Sequence, residues 1–489
     1  MGTYFSHRGH KSSPAASKPS ARMLDNLSHL PLVAGVVLAA LAIAILPLPA
    51  VMLPVLGISS VLLTLARLEY GLVLLAFTVP FGSLGEIEMA DFSLSATEFI
   101  VPLVVFSWVM RMVYTKEARI SLPWIVWPVT LFMAAMALSF TNSSALGLSL
   151  KEMAKWLEFL AVLVLVGNTV RERGQVLLLV GAVLSSGTLA AFHGWYQFAS
   201  RQGPGSFLVG ETFLRAYGFY GQPNPYAGYL LTVIPLAIAL LLVVREERLP
   251  KRPLLVATGA LVAALLMTLS RGGMLGLAGA SALTVLLRSW AWRRLLWVVV
   301  LVGLLLSLAL SYDLVTIPGG DEGGPFAEFG IFDPRFVKTT PQNWSVVERM
   351  ALWYSAWHIW QDSPWLGIGI GNFRAVYPDY ALPAWEFGQE HAHNYYLNVL
   401  TETGVVGLAA YLVLLFCFFL YVGRGLKASL ARGWGLKSAL ALGVLSTLLA
   451  LSVHNVFDNI YVHGMLVQLG ILLGLVPFAS ETREMEMKS

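Results

Sequence analysis

Apolar runs of about 20 residues recur along almost the whole chain, and a run of that length is what a helix needs to cross a bilayer. No water-soluble fold tolerates so many, because its surface must be covered by polar side chains. The composition agrees: of 489 residues, 57% are hydrophobic and 12% charged, with a mean hydropathy of +0.70. Soluble domains carry about 25% charged residues. These values exclude a soluble enzyme, a nucleic-acid binder and a disordered scaffold. They predict an all-α integral membrane protein with about 12–14 transmembrane helices.

Applied along the sequence, the 20-residue template marks fourteen spans, near residues 28–48, 49–66, 70–84, 97–114, 122–141, 152–169, 175–199, 224–244, 253–269, 272–288, 293–312, 395–421, 437–456 and 461–478. The first three are short or broken by Pro47, Pro49, Pro54 and Pro80, which allows two fewer. Residues 1–27 are polar and basic and read as a cytoplasmic tail, and the apolar run after them is too long for a cleavable signal. With that tail inside, most of the 32 Lys and Arg fall in inner segments. The positive-inside rule then puts both termini in the cytoplasm. The expected organisation is the tail 1–27, helices across 28–312, an extracytoplasmic subdomain 313–394, helices across 395–478 and a tail 479–489. Cys417 is the one cysteine and lies in an apolar run, so neither an intrachain disulfide nor a cysteine metal site is available.

The long outer segment opens with PGGDEGGP and then becomes helical. Ser345 and Glu348 have capping-box spacing. Val346, Met350, Trp353, Trp357 and Trp360 follow as an amphipathic stripe, and Asp362-Ser363-Pro364 stops it. Such a helix either lies in the lipid interface, caps a cavity, or packs as a lid for stability alone.

Cations that fall outside against the charge rule are the most informative. They are Lys151, Lys155, Arg201, Arg215, Arg271, Arg335, Lys338, Arg349 and Arg374. Arginine predominates, the residue suited to bidentate contact with phosphate or carboxylate. Arg271 sits in LLMTLSRGGMLGL, between two spans, with Gly272 and Gly273 opening a helix start toward an anion. Snorkelling to the interface is the plainer reading. Arg215 precedes a turn-rich stretch in which Asn224-Pro225 reads as a helix cap. It suits either a phosphate grip or an interfacial anchor.

The densest polar cluster is Glu390, His391, His393 and Asn394. From there Asn394, Asn398 and Glu402 continue at four-residue spacing, a polar face expected to meet a protein cavity. A histidine at the cavity mouth is a proton acceptor near neutral pH. A metal site from His391, His393 and Glu390 or Glu386 is a second reading, and loop hydrogen bonding a third. His454 and Asp458, four apart, suggest a carboxylate orienting an imidazole or a structural cap. Lys151, Lys155 and Glu158 share one helix face and read as an ion-pair network on the same outer cavity, or as lysines snorkelling outward.

Four stretches, in order, carry a resemblance: RAYGFYGQPNPYAGYLL, LSRGGMLGL, the loop helix ending in DSPWLGIGIGNF, and HAHNYYLNVLTETGVVGLAAYL. Together they resemble the bacterial O-antigen ligase and O-antigen polymerase superfamily. The resemblance implies a GT-C-type polytopic membrane glycosyltransferase that needs no metal and no cofactor. Its donor would be a glycan on undecaprenyl diphosphate, and its acceptor the lipid A-core or another glycan, with the bilayer and no nucleic acid as partner. The site would face the extracytoplasmic side of the bacterial inner membrane. It also implies roles: Arg215, Arg271 and Arg349 at the diphosphate, and His393 as base. The extra amino-terminal spans, the PGGDEGGP insertion and His391 depart from the pattern. A polysaccharide polymerase and a protein O-oligosaccharyltransferase share the donor. A solute transporter is the rival of another class, against which stand the absence of a visible repeat and the gathering of polar residues at one face.

Overall fold

The structure is a computed structural model that describes residues 48–82, 87–89, 92–116, 120–209, 212–244, 250–288, 344–386 and 390–480. The expected tails, the spans near 28–48 and 293–312, the PGGDEGGP stretch, Arg335 and Lys338 lie outside the described residues. The chain divides into two units, residues 1–63 and 64–489. All that follows concerns the second.

The described residues are helical apart from short turns and two small antiparallel hairpins, Ile87–Met89 with Phe92–Leu94 and Leu208–Val209 with Phe213–Leu214. The helices are α1 (Leu48–Ala66), α2 (Leu68–Phe81), α3 (Ala96–Thr115), α4 (Val126–Ser139), α5 (Leu146–Thr169), α6 (Arg173–Ser200), α7 (Pro223–Val243), α8 (Lys251–Met267) and α9 (Arg271–Arg288). The amphipathic helix α10 (Trp344–Asp362) and the short α11 (Phe373–Val376) follow. The chain closes with α12 (Tyr395–Leu430), α13 (Leu436–His454), α14 (Met465–Gly474) and α15 (Val476–Ser480). The chain is thus an all-α membrane protein. Among the described residues, five helices are long and apolar enough to cross a membrane: α3, α6, α7, α12 and α13. Others expected as spans are shorter. Helix α5 has the length, but Lys151, Glu152, Lys155 and Glu158 interrupt the apolar character of its first half.

Helix α7 is the buried centre, packed against α13, α9 and α8. Small residues permit the close approach that helices need where water provides no driving force. A side chain at Gly276 of α9 would meet the Ala450 carbonyl of α13 at 2.7 Å, and one at Gly443 would meet the Leu236 Cα of α7 at 2.8 Å.

Helix α12 is broken at Gly404, whose φ of 65° and ψ of −168° leave the helical region. A break at this depth frees backbone groups that hydrocarbon cannot satisfy. The loop after α10 satisfies them. Ile368 N–H donates to the Thr401 carbonyl at 3.2 Å and Gly369 N–H to that of Glu402 at 2.9 Å. In return Val405 N–H donates to the Pro364 carbonyl at 2.9 Å and Val406 N–H to that of Trp365 at 3.3 Å. Glu402 accepts from Phe373 N–H at 3.1 Å, and Asn372 ties the loop to Ser143, Ser144, Ala145 and Ser149 at the start of α5. The polar face of α12 therefore holds loops. Asn398 accepts from Ala392 N–H, and Asn394 caps the helix by accepting from Leu397 N–H.

Helix α10 already includes Trp344, so Ser345 lies inside it and its carbonyl accepts from Arg349, in place of the expected capping box. Its buried face is Val347, Ala351, Leu352, Ser355, Ala356 and Ile359. These smaller residues seat closely, while Trp344 and Trp357 remain exposed. Of the expected stripe, Val346, Met350 and Trp353 face a cavity. The helix is a cap.

Gly404→Ala is expected to lower stability by about 3 kcal/mol or more, because its Cβ would lie 2.2 Å from the Trp365 carbonyl carbon at a backbone conformation nearly reserved for glycine. Gly423→Ala in the same helix, where nothing lies within 4 Å, should melt at or slightly above the wild-type temperature in detergent.

Candidate functional site

Three arginines from three separate segments converge on one cavity of about 350 Å³. Arg215 comes from the segment before α7, which is pinned to the end of α8 by Ala216 N–H donating to the Met267 carbonyl at 2.9 Å. Its Nε–H donates to the Thr268 carbonyl at 2.8 Å, and its Nη2 to Asn224 Oδ1 at 3.1 Å. Asn224 thus serves the arginine. Helix α7 starts one residue earlier, with Gln222 at the cap position and Pro223 first. Arg271 opens α9, where the Ser270 hydroxyl accepts from Gly273 N–H at 3.3 Å. The helix start adds its own partial positive charge. Arg349 projects from α10, donating from Nε to the Phe457 carbonyl at 3.1 Å and from Nη1 to that of Ser345 at 2.7 Å.

The electrostatics are one-sided. Arg215 and Arg349 donate to neutral oxygens, and among the described residues no carboxylate lines the cavity. Burial, then repulsion from Arg349 and Arg271, lowers the Arg215 guanidinium to about 10, still charged at neutral pH. Such a cluster of like charges attracts anions. Its planar donors suit a phosphate or diphosphate.

Beside this cavity lies an imidazole–carboxylate pair. His393 Nδ1 and Asp458 Oδ1 are 2.8 Å apart, with the side chains 13% and 2% exposed. The sequence suggests His454 as the partner of Asp458, but the loop after α13 turns the carboxylate toward the start of α12. His454 instead lines the arginine cavity. His393 holds a left-handed backbone at φ 48°, a costly conformation for a bulky residue and a frequent one at functional positions. His391 Nδ1 accepts from His393 N–H at 3.3 Å. Burial would raise the Asp458 carboxyl, but His393, His391 and Arg349 outweigh it and hold it well below the usual carboxylate range. Asp458 is linked to the arginines through its neighbour Phe457, whose carbonyl Arg349 holds.

His391, His393 and Asp458 also place ligand atoms within 4.8 Å of one another, enough for a metal site. A dication there would face Arg349 and Lys155, the cations that, after burial and His393, reduce the basicity of His391.

Lys151, Lys155 and Glu158 do share a face, but they line a second cavity that has no wall residue in common with the first. Lys155 pairs with Glu152, at the spacing of one helical turn. Sequence spacing could not separate the two cavities, since both lie among the same helix ends. It also missed Ser270 and Phe457 in the arginine wall and Glu98 and His463 in the second. These are ordinary residues singled out only by tertiary packing.

The chain is a polytopic helical membrane protein with a basic cavity at the ends of its helices. Residues 254–412 match the family model described as O-antigen ligase. That match supports the O-antigen ligase superfamily for this chain and implies a glycosyltransferase-like membrane enzyme. No curated protein matches the chain. The matched range contains Arg271, Arg349, His391 and His393. Arg215, His454 and Asp458 lie outside it.

Burial, followed by the charge of His393, depresses the His391 imidazole to about 4. An unfolded histidine takes its proton near 6.5. Between these values the unfolded chain binds more protons, so stability falls as the pH drops from about 6.5 to about 4, by roughly 2–3 kcal/mol. Melting temperatures across that range should show the loss, and His391→Gln should flatten it.

Proposed function

We propose that the chain is an O-antigen ligase-like glycosyltransferase, moving a glycan from undecaprenyl diphosphate to an acceptor hydroxyl of the lipid A-core or another glycan. The supporting observation is the meeting of Arg215, Arg271 and Arg349 around a cavity that no carboxylate lines among the described residues, next to the hydrogen-bonded His393 and Asp458. The excess of basic residues in the opposite segments supports a site on the outer side of the bacterial inner membrane, with both termini in the cytoplasm.

The chemistry follows from those groups. Asp458 accepts the Nδ1 proton of His393, which leaves the Nε2 lone pair as the base. Nε2 takes the proton of the acceptor hydroxyl as its oxygen bonds to the anomeric carbon of the donor sugar. The bond from that carbon to the diphosphate oxygen breaks, and its electron pair leaves with the lipid diphosphate. Charge grows on that oxygen, where the fixed guanidiniums stabilise it more than they stabilise the bound donor. In this reading the arginines fill the role that a metal would otherwise have, so no metal is required. Asp458 positions the base and does not touch the substrate.

His393→Ala should reduce transfer by about 10²–10⁴-fold, the usual contribution of a general base. Asp458→Asn should lower kcat by on the order of 10²-fold with little change in donor KM. Arg271→Ala should abolish turnover, whereas Arg271→Lys, a point charge without the planar fork, should retain a fraction. The assay is transfer from a purified lipid-linked glycan in nanodiscs. Full activity in both His393→Ala and Arg271→Ala, with wild-type melting temperatures, would overturn the assignment.

A further inference from the structure

The second cavity has the opposite chemical character from the first. It encloses about 140 Å³ and is walled by Glu98 of α3, Lys151, Lys155 and Glu158 of α5, Glu390 beside the histidines, and His463 before α14. Its charges are of both signs, drawn from separate segments. A phosphate would be opposed by three carboxylates, and a simple cation by two lysines. Lys155 is paired with Glu152 and Glu98 accepts from Ser95 N–H, and a wall that mixes donors with acceptors suits a ligand whose groups do both, which is the property of a sugar hydroxyl.

Its location is equally telling. Glu390 adjoins His391, so this cavity ends where the imidazole pair begins. Lys155 and Arg349 both act on the charge of His391, one from the wall of each cavity. The histidines therefore stand between a purely basic chamber and a mixed-charge one.

We infer that the mixed-charge cavity holds a hydroxyl-rich sugar residue of the acceptor, with Lys151, Lys155, Glu98, Glu158 and Glu390 as its hydrogen-bonding wall. The acceptor role rests on the glycan-transfer reading; the sugar-binding role does not. A sugar seated there presents its hydroxyl toward His393 while the diphosphate stays among the arginines.

The test uses the full chain in nanodiscs and needs no turnover. Saturation-transfer NMR with N-acetylglucosamine, galactose and glucuronate reports sugar binding, and calorimetry with inorganic pyrophosphate reports the arginine cavity. The Lys151→Met/Glu158→Gln double variant should weaken the sugar signal by about ten-fold or more and leave pyrophosphate affinity unchanged. Arg271→Ala should do the reverse. Glu390→Gln, outside the helices, provides a second variant whose folding is not at risk. No sugar signal from the wild type, or an undiminished one in both the double variant and Glu390→Gln, overturns the inference. Pyrophosphate binding that survives Arg271→Ala overturns the diphosphate reading instead.

Discussion

The exchange of backbone hydrogen bonds between the broken helix α12 and the loop of residues 364–369 is the constraint from which the rest of the site follows. A helix interrupted at Gly404 is unsatisfied on both sides of the break, and the loop is unsatisfied wherever it lacks regular structure. Each supplies what the other is missing. Because the loop continues from α10, the same bonds fix the helix that carries Arg349. Because α12 begins at Tyr395, they also fix the segment that carries His391 and His393. Glu402 and Asn372 tighten this junction from within. One defect in one helix thus sets the relative positions of Arg349 and His393.

The two cavities illustrate how similar residues acquire different roles through their surroundings. Arg215, Arg271 and Arg349 share a wall that no carboxylate joins among the described residues, so their charge is directed at whatever enters. Lys155 pairs with Glu152 and shares its cavity wall with Glu98 and Glu158, so its charge is largely answered at home. Counting basic residues would not distinguish these environments. The burial of Asp458 between them is tolerable because His393 and Arg349 surround it with positive charge.

Much of this was legible in the sequence, and the limits of legibility have physical causes. Apolar run length located most helices to within a few residues, since a bilayer imposes that length directly. The arginines stood out by violating the charge rule of the loops around them. The partner of Asp458 did not, because four-residue spacing favoured His454 and only the packing of α13 against α12 brings His393 closer. The face of Asn398 and Glu402 was recognised as protein-facing, yet its role in holding a loop depends on the break at Gly404. That break is invisible to periodicity, as glycine is common in packed membrane helices. Small residues, not the tryptophans, seat α10, because close approach to α12 rewards the absence of bulk.

The distance in sequence between His393 and Asp458 has a consequence for the life of the chain. The imidazole and its carboxylate belong to regions separated by the whole of α12 and α13. A newly inserted chain therefore carries His393 without this carboxylate until the segment after α13 has docked.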